Sequence, residues 1–278
     1  MKKSFIFAFI PMFYAGISNA ETIGVWDLNG NLKDSSGYSH DGESFNSIGN
    51  NNSEQLTPTF VNQPVGQNQE SYQFNNSNYI ALDMFMNEKA GLDAFSVTVN
   101  FKTQEDNTSS EWTNWSFLDF DRSEYFNVFL TGNGNVGFST LSINDSNGIK
   151  IGNDMYSVTS GLNDGLWHSL TVSYGEKNGK SIYVDNQFDS SLDYLGSIGS
   201  GVVRYGFIGD GSEATSYNGL RNGIYYDGEL ANVTFSDHEV GMSFDGTFLN
   251  ITESDVPVPF AITGLSLMLL CFNRMRRI

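Results

Sequence analysis

NDGLWHSLTVSYGEKNGKSIYVDNQ, residues 163–187, carries the pattern that decides the fold. Leu170, Val172 and Tyr174 alternate with Ser169, Thr171 and Ser173, the period of a strand with one buried face. Ile182 and Val184 repeat the alternation. Between the two runs stands Asn178-Gly179, a pair that accepts the positive φ of a tight reversal. The segment therefore reads as two antiparallel strands joined by a hairpin.

The same period extends outward. In AFSVTVNFK (94–102), Phe95, Val97, Val99 and Phe101 share one face, with Ser96, Thr98, Asn100 and Lys102 on the other. FNVFL (126–130) places Phe126, Val128 and Leu130 together. Turn-formers follow at TGNGN (131–135) and NDSNG (144–148). The one short helix expected is MFMNEKAG (84–91), and the Asn- and Gln-rich stretch 46–69 reads as a long loop. Many short strands with Gly/Asn turns and no long helical period predict an all-β, antiparallel β-sandwich. With no internal repeat and no dividing linker, the body forms one domain.

The order of landmarks resembles laminin-G-like, concanavalin-A-like jelly-roll domains. IGVWDLNGNLKDSSGYSHDGE (23–43) is similar to their opening strand and Asp-Ser-Ser-Gly turn, and SYQFNNSNYIAL (71–82) with FSVTVNFKT (95–103) to the next strands. The Asp-Gly-x-Trp-His strand of 163–187, then YGFIGDGS (205–212) and YYDGELANVTFSD (225–237), completes the order. The resemblance implies a jelly roll over 21–245, with 246–255 as a linker. It also implies a cation site: Asp27, Asp34 and Asp41 offer the hard oxygen ligands calcium prefers. Against that stand Ala231, where the family usually has Asp, and the simpler reading of Asp34-Ser35-Ser36-Gly37 as a turn capped by its own aspartate.

Both ends of the chain read as addresses. Lys2, Lys3, an apolar run from Phe5 to Phe13, and Ser18 and Ala20 before a cleavage point describe a secretory signal peptide over 1–20. At the other end, Val256-Pro257-Val258-Pro259 precedes an apolar segment, 260–272, and then Arg274, Arg276 and Arg277. That tripartite tail resembles PEP-CTERM sorting signals, in a variant with Val258 where Glu is commonest. The resemblance implies one short transmembrane helix, cytoplasmic arginines and processing by a membrane exosortase, with delivery to the cell surface or extracellular matrix of a Gram-negative bacterium. An uncut tail anchor is the alternative.

Every one of the 32 acidic residues lies between Glu21 and Asp255, with only 9 of the 14 basic ones, so this part carries 9 − 32 = −23. Such a surface repels phosphate backbones and argues against a nucleic-acid partner. The single cysteine, Cys271, lies in the tail, so the body is held by packing without disulfides.

Sugars are recognised by flat aromatic rings beside amide and carboxylate groups. Trp112 and Trp115 in SSEWTNWSF, and Tyr217, Arg221, Tyr225 and Tyr226 in SYNGLRNGIYYDG, are the candidate ligand residues. His168 has no identifiable catalytic partner and shares the core-facing side with Leu170. The related jelly-roll hydrolases use paired carboxylates on one strand, for which Asp119, Asp121 and Glu124 in LDFDRSE are the nearest match. The expectation is a non-catalytic protein binding polysaccharide or a surface glycan, with a jelly-roll glycoside hydrolase or an adhesive matrix protein with a protein partner as alternatives.

Overall fold

Alternating apolar residues bury one face of a sheet, and two such faces must meet to form a core. The computed structural model, which describes residues 22–49, 52–62, 69–86, 92, 94–105, 114–120, 125–144, 149–175, 179–193, 198, 204–211 and 225–240, does this with two sheets. One runs β14 (Gln187–Leu192), β13 (Gly179–Val184), β12 (His168–Gly175), β7 (Ala94–Lys102), β16 (Asp227–Ser236), β5 (Glu70–Asn75) and β4 (Phe60–Asn62). β1 (Thr22–Trp26) pairs the second half of β16, on the side that β5 takes in the first half. The other runs β11 (Ile149–Tyr156), β10 (Val136–Asn144), β9 (Phe126–Thr131), β8 (Asn114–Phe120), β15 (Arg204–Ile208), β6 (Asn78–Met86), β2 (Gly42–Gly49) and β3 (Asn52–Gln55). Every pairing among these strands is antiparallel.

The predicted hairpin forms. β12 and β13 pair from Leu170–Val184 to Gly175–Gly179, with Gly179 at φ 81. Asp185 and Asn186, both at positive φ, then turn the chain into β14, a third strand beyond the predicted pair.

Registers make the core a pair of facing rows. Phe235, Val97, Val172 and Ile182 lie in line across the first sheet. Ile80, Ile208, Leu118, Val128, Phe138 and Met155 lie in line across the second. The rows meet through aromatic contacts: Phe95 to Phe126 at 4.6 Å and Phe101 to Phe117 at 4.7 Å between ring centroids. Each large side chain fully buried this way contributes about 1.5–3 kcal/mol, which is what holds a body with no disulfide. Between the sheets, the hydroxyls of Ser44 and Tyr72 bond to each other, so neither is buried unpaired.

Three expectations change. Met84–Met86 end β6 and form no helix; the rest of 84–91 lies outside the described residues. The stretch read as a loop at 46–69 supplies the end of β2, β3 and β4. β3 and β4 are sheet-edge strands, held by backbone pairing to β2 and β5, which needs no apolar side chain. Finally, β9 is buried on both faces, Asn127 and Phe129 as well as Phe126, Val128 and Leu130, so the outer face of the second sheet is not a bare polar surface. The signal peptide, the linker and the tail lie outside the described residues; among the described residues no helix is long and apolar enough to cross a membrane.

Candidate ligand-binding face

The outer face of the second sheet is set by register. Glu43 on β2, Ala81 on β6, Phe207 on β15, Asp119 on β8, Asn127 on β9, Ser139 on β10 and Asp154 on β11 are successive cross-strand partners, so all seven share one face. A bulge between Ser116 and Leu118 turns Phe117 and Leu118 both inward and returns Asp119 to the outer row. Ser116 donates to Asn127 Oδ1 at 3.0 Å, and Ser139 donates to Asp154.

Aromatic rings line the β2–β6–β15 side of this row. Tyr79 stacks between Phe45 (5.7 Å, 17°) and Tyr225 (6.0 Å, 21°), with the Phe207 ring edge-on at 6.2 Å. Six residues along β6, Phe85 pairs Tyr205 with ring centroids 5.8 Å apart. At about 3.3 Å per residue the strip runs roughly 20 Å. Tyr79, Ala81 and Phe207 have no exposed surface, whereas Phe85 is 51% exposed and Tyr205 and Tyr225 are partly so. The strip thus reaches solvent at both ends.

Of the candidate ligand residues, Tyr225 belongs to this strip. Trp115, 3% exposed, and Tyr226, fully buried, do not: Trp115 is a core residue of β8, and Tyr226 packs its ring against Phe74 and Phe117. Tyr226 donates its hydroxyl to the carbonyl of Lys102 at 3.0 Å, and burial pushes its pKa well above the usual tyrosine range. Both are withdrawn from the ligand surface because their rings complete the sandwich core. Trp112, Tyr217 and Arg221 lie outside the described residues. Phe45, Tyr79 and Phe207 were missed, although the unbroken apolar run Tyr79–Leu82 signals a strand buried on both faces.

The proposed calcium set does not fit a cation. Asp34 accepts from the backbone N–H of Val25 (2.9 Å), Ser36 (2.9 Å) and His40 (3.0 Å) and from Ser36 Oγ (2.7 Å). Asp41 accepts from Asp34 N–H (2.9 Å) and Lys33 Nζ (2.6 Å). Partial burial works to raise the Asp34 pKa, but the N–H donors outweigh it and hold the carboxyl below its ordinary value; the Lys33 ammonium does the same for Asp41. Asp27 is exposed and takes no part in this network through its side chain. Among the described residues no three such side chains gather as ligands. The aspartates brace the β1–β2 connection by accepting hydrogen bonds.

His168 is likewise structural. Its Nδ1 lies 3.0 Å from Asp185 and its Nε2 3.2 Å from Asp164, and its ring packs on Phe101 at 5.8 Å, tying the turns that lead into and out of the hairpin to β12. Asp119 has no exposed surface, and Asp121 and Glu124 lie outside the described residues.

No family model matches this chain, and no curated protein matches it. Among solved structures it is similar to domain 4 of AbnA, a GH43 extracellular arabinanase from Geobacillus stearothermophilus, in complex with arabinotriose. The identity is 14% and the TM-score 0.56, over 80% of this chain and 94% of that one. It is also similar to the receptor binding domain of botulinum neurotoxin type G, at 16% identity and TM-score 0.51, over 80% of this chain and 49% of that one. The binding domain of Paraclostridial mosquitocidal protein 1 gives 12% and 0.51, over 80% and 50%. This chain therefore spans about half the length of those two. The likeness establishes the β-sandwich fold.

Proposed function

We propose that this chain is an exported, non-catalytic polysaccharide-binding protein on a laminin-G-like, concanavalin-A-like jelly roll, sorted to the cell surface or matrix through its C-terminal signal by an exosortase. The observation that carries the reading is the aromatic strip on the second sheet, with Tyr79 stacked between Phe45 and Tyr225 and Phe85 exposed beside Tyr205. Rings that reach solvent, Phe85, Tyr205 and Tyr225, beside the exposed carboxylates of Glu43 and Asp83 on the same face are the chemistry of sugar recognition. Domain 4 of the arabinanase, a structural neighbour, was captured with arabinotriose, which supports the same use of the fold.

A retaining hydrolase needs two carboxyl groups about 5 Å apart and open to the polymer. The full burial of Asp119 supports the binding reading over that one. The test is co-sedimentation of the purified protein with the extracellular polysaccharide of the producing organism, with release of reducing ends followed in parallel. Retention without release is expected; release would favour the hydrolase, and no retention a protein partner.

A further inference from the structure

The β1–β2 connection holds two rings in a fixed attitude. Tyr38 and His40 lie with planes within 3° of each other and centroids 6.0 Å apart, so their faces are turned the same way, and Tyr38 is 42% exposed. The backbone beneath them is fastened from four directions. Asp34 takes the N–H of His40, Trp26 Nε1 donates to the carbonyl of His40 at 2.8 Å, Asp41 takes the N–H of Asp34, and Gly42 N–H bonds the Leu32 carbonyl. A loop ordered in advance loses less entropy when a ligand arrives.

The His40 ring has one tautomer open to it in its neutral form. Nδ1 lies 2.9 Å from the carbonyl oxygen of Asp83, which can only accept, so Nδ1 carries the proton. Nε2 is then a lone-pair acceptor, and among the described residues nothing bonds to it. The position matters as much as the chemistry. Asp83 stands on β6 two residues before Phe85, and Asp83 N–H bonds the Asp41 carbonyl. The loop therefore abuts the end of the aromatic strip where Phe85 and Tyr205 open to solvent.

We propose that Tyr38 and His40 form a sugar subsite that continues this strip around the edge of β6, Tyr38 stacking on a sugar ring and His40 Nε2 accepting a hydroxyl. The ligand class is a neutral glycan. An uncharged sugar offers the hydroxyl donors that Nε2 needs, whereas the Asp34 carboxylate beside His40, the exposed Asp83 on β6 and the body's net charge of −23, which the Lys33 ammonium on Asp41 offsets only locally, repel a polyuronate or a sulfated chain. The subsite rests on the carbohydrate-binding reading above.

The test uses the purified full chain, its Tyr38→Ala and His40→Asn variants, and Tyr225→Ala as comparator, each co-sedimented with the producing organism's extracellular polysaccharide. His40→Asn keeps a donor for the Asp83 carbonyl and removes the ring and Nε2. Each loop variant is expected to bind about 3–10-fold more weakly, the worth of one aromatic contact, with an unchanged melting temperature. Excess polygalacturonate is expected not to compete. Native affinity in both loop variants, with loss in Tyr225→Ala, overturns the subsite and leaves the carbohydrate-binding reading standing. Competition by polygalacturonate overturns the neutral-glycan assignment, and absence of binding by the unmutated chain overturns both readings.

Discussion

Lys180, on the first sheet, donates its ammonium to the carbonyl of Phe138, on the second, at 3.0 Å. The same Nζ reaches the Asn153 carbonyl at 2.5 Å and lies 4.8 Å from the centroid of the Phe138 ring, with no part of the side chain exposed. One cation thus ties β13 to β10 and β11 across the sandwich. Burial pulls its pKa down to about 7, a drop that the nearby Asp154 carboxylate only partly resists.

The sign of the resulting pH dependence follows from linkage. Between about 7 and 10.5 the unfolded chain holds a proton on this lysine that the folded chain does not. Stability is therefore expected to rise with pH through that window and to level off below it, by an amount on the order of a few kcal/mol. Chemical denaturation at pH 7, 8.5 and 10 measures the rise. Lys180→Met should flatten it; an equal slope in that variant would assign the effect elsewhere.

Trp115 and Tyr226 are expected to behave as core residues. Replacement by alanine should cost about 3–5 kcal/mol, read as an earlier denaturant midpoint. Tyr225→Ala removes one face of a three-ring stack at the margin of the strip and should cost nearer 1 kcal/mol. Polysaccharide affinity should follow the opposite order, with Tyr225→Ala the more damaging among variants that remain folded.

Asp34 gathers three backbone N–H groups and a hydroxyl, so Asp34→Ala should destabilise by about 1–3 kcal/mol. Its carboxyl and that of Asp41 are held below the ordinary aspartate value. Their contribution is present above about pH 4 and lost as pH falls through the lower, folded-state value. Thermal melts from pH 5 to pH 2.5 on the parent and the variant give the difference.

Calcium is expected to leave the melting temperature unchanged, because the oxygens of Asp34 and Asp41 are committed to N–H and ammonium donors. An upward shift with added calcium that chelator reverses overturns this expectation.

The intact mass of the protein recovered from its host should lack the segment from the Val256-Pro257-Val258-Pro259 motif onward. Retention of 260–278 would identify an uncut membrane anchor.

Much of the fold is legible in the sequence, because burying one face of a strand imposes an alternation that survives without any partner in view. β7 runs over the alternating segment 94–102, and the Asn178-Gly179 signal places the β12–β13 hairpin. β3 and β4 were illegible since edge pairing is made by backbone groups common to all residues. The outer aromatic strip was legible in one residue, Tyr225. Phe45, Tyr79, Phe207 and Asp119 come from four strands far apart in the chain, and only cross-strand register sets them side by side. Tyr225 and Tyr226 are neighbours of the same type; opposite sides of the backbone send one to the outer strip and the other into the core. Composition and period were enough to establish a cysteine-free, acidic, alternating β body. Tertiary structure alone decided which aromatics became core and which surface, and that the aspartates of the β1–β2 connection bind their own backbone, because each depends on where distant strands come to rest.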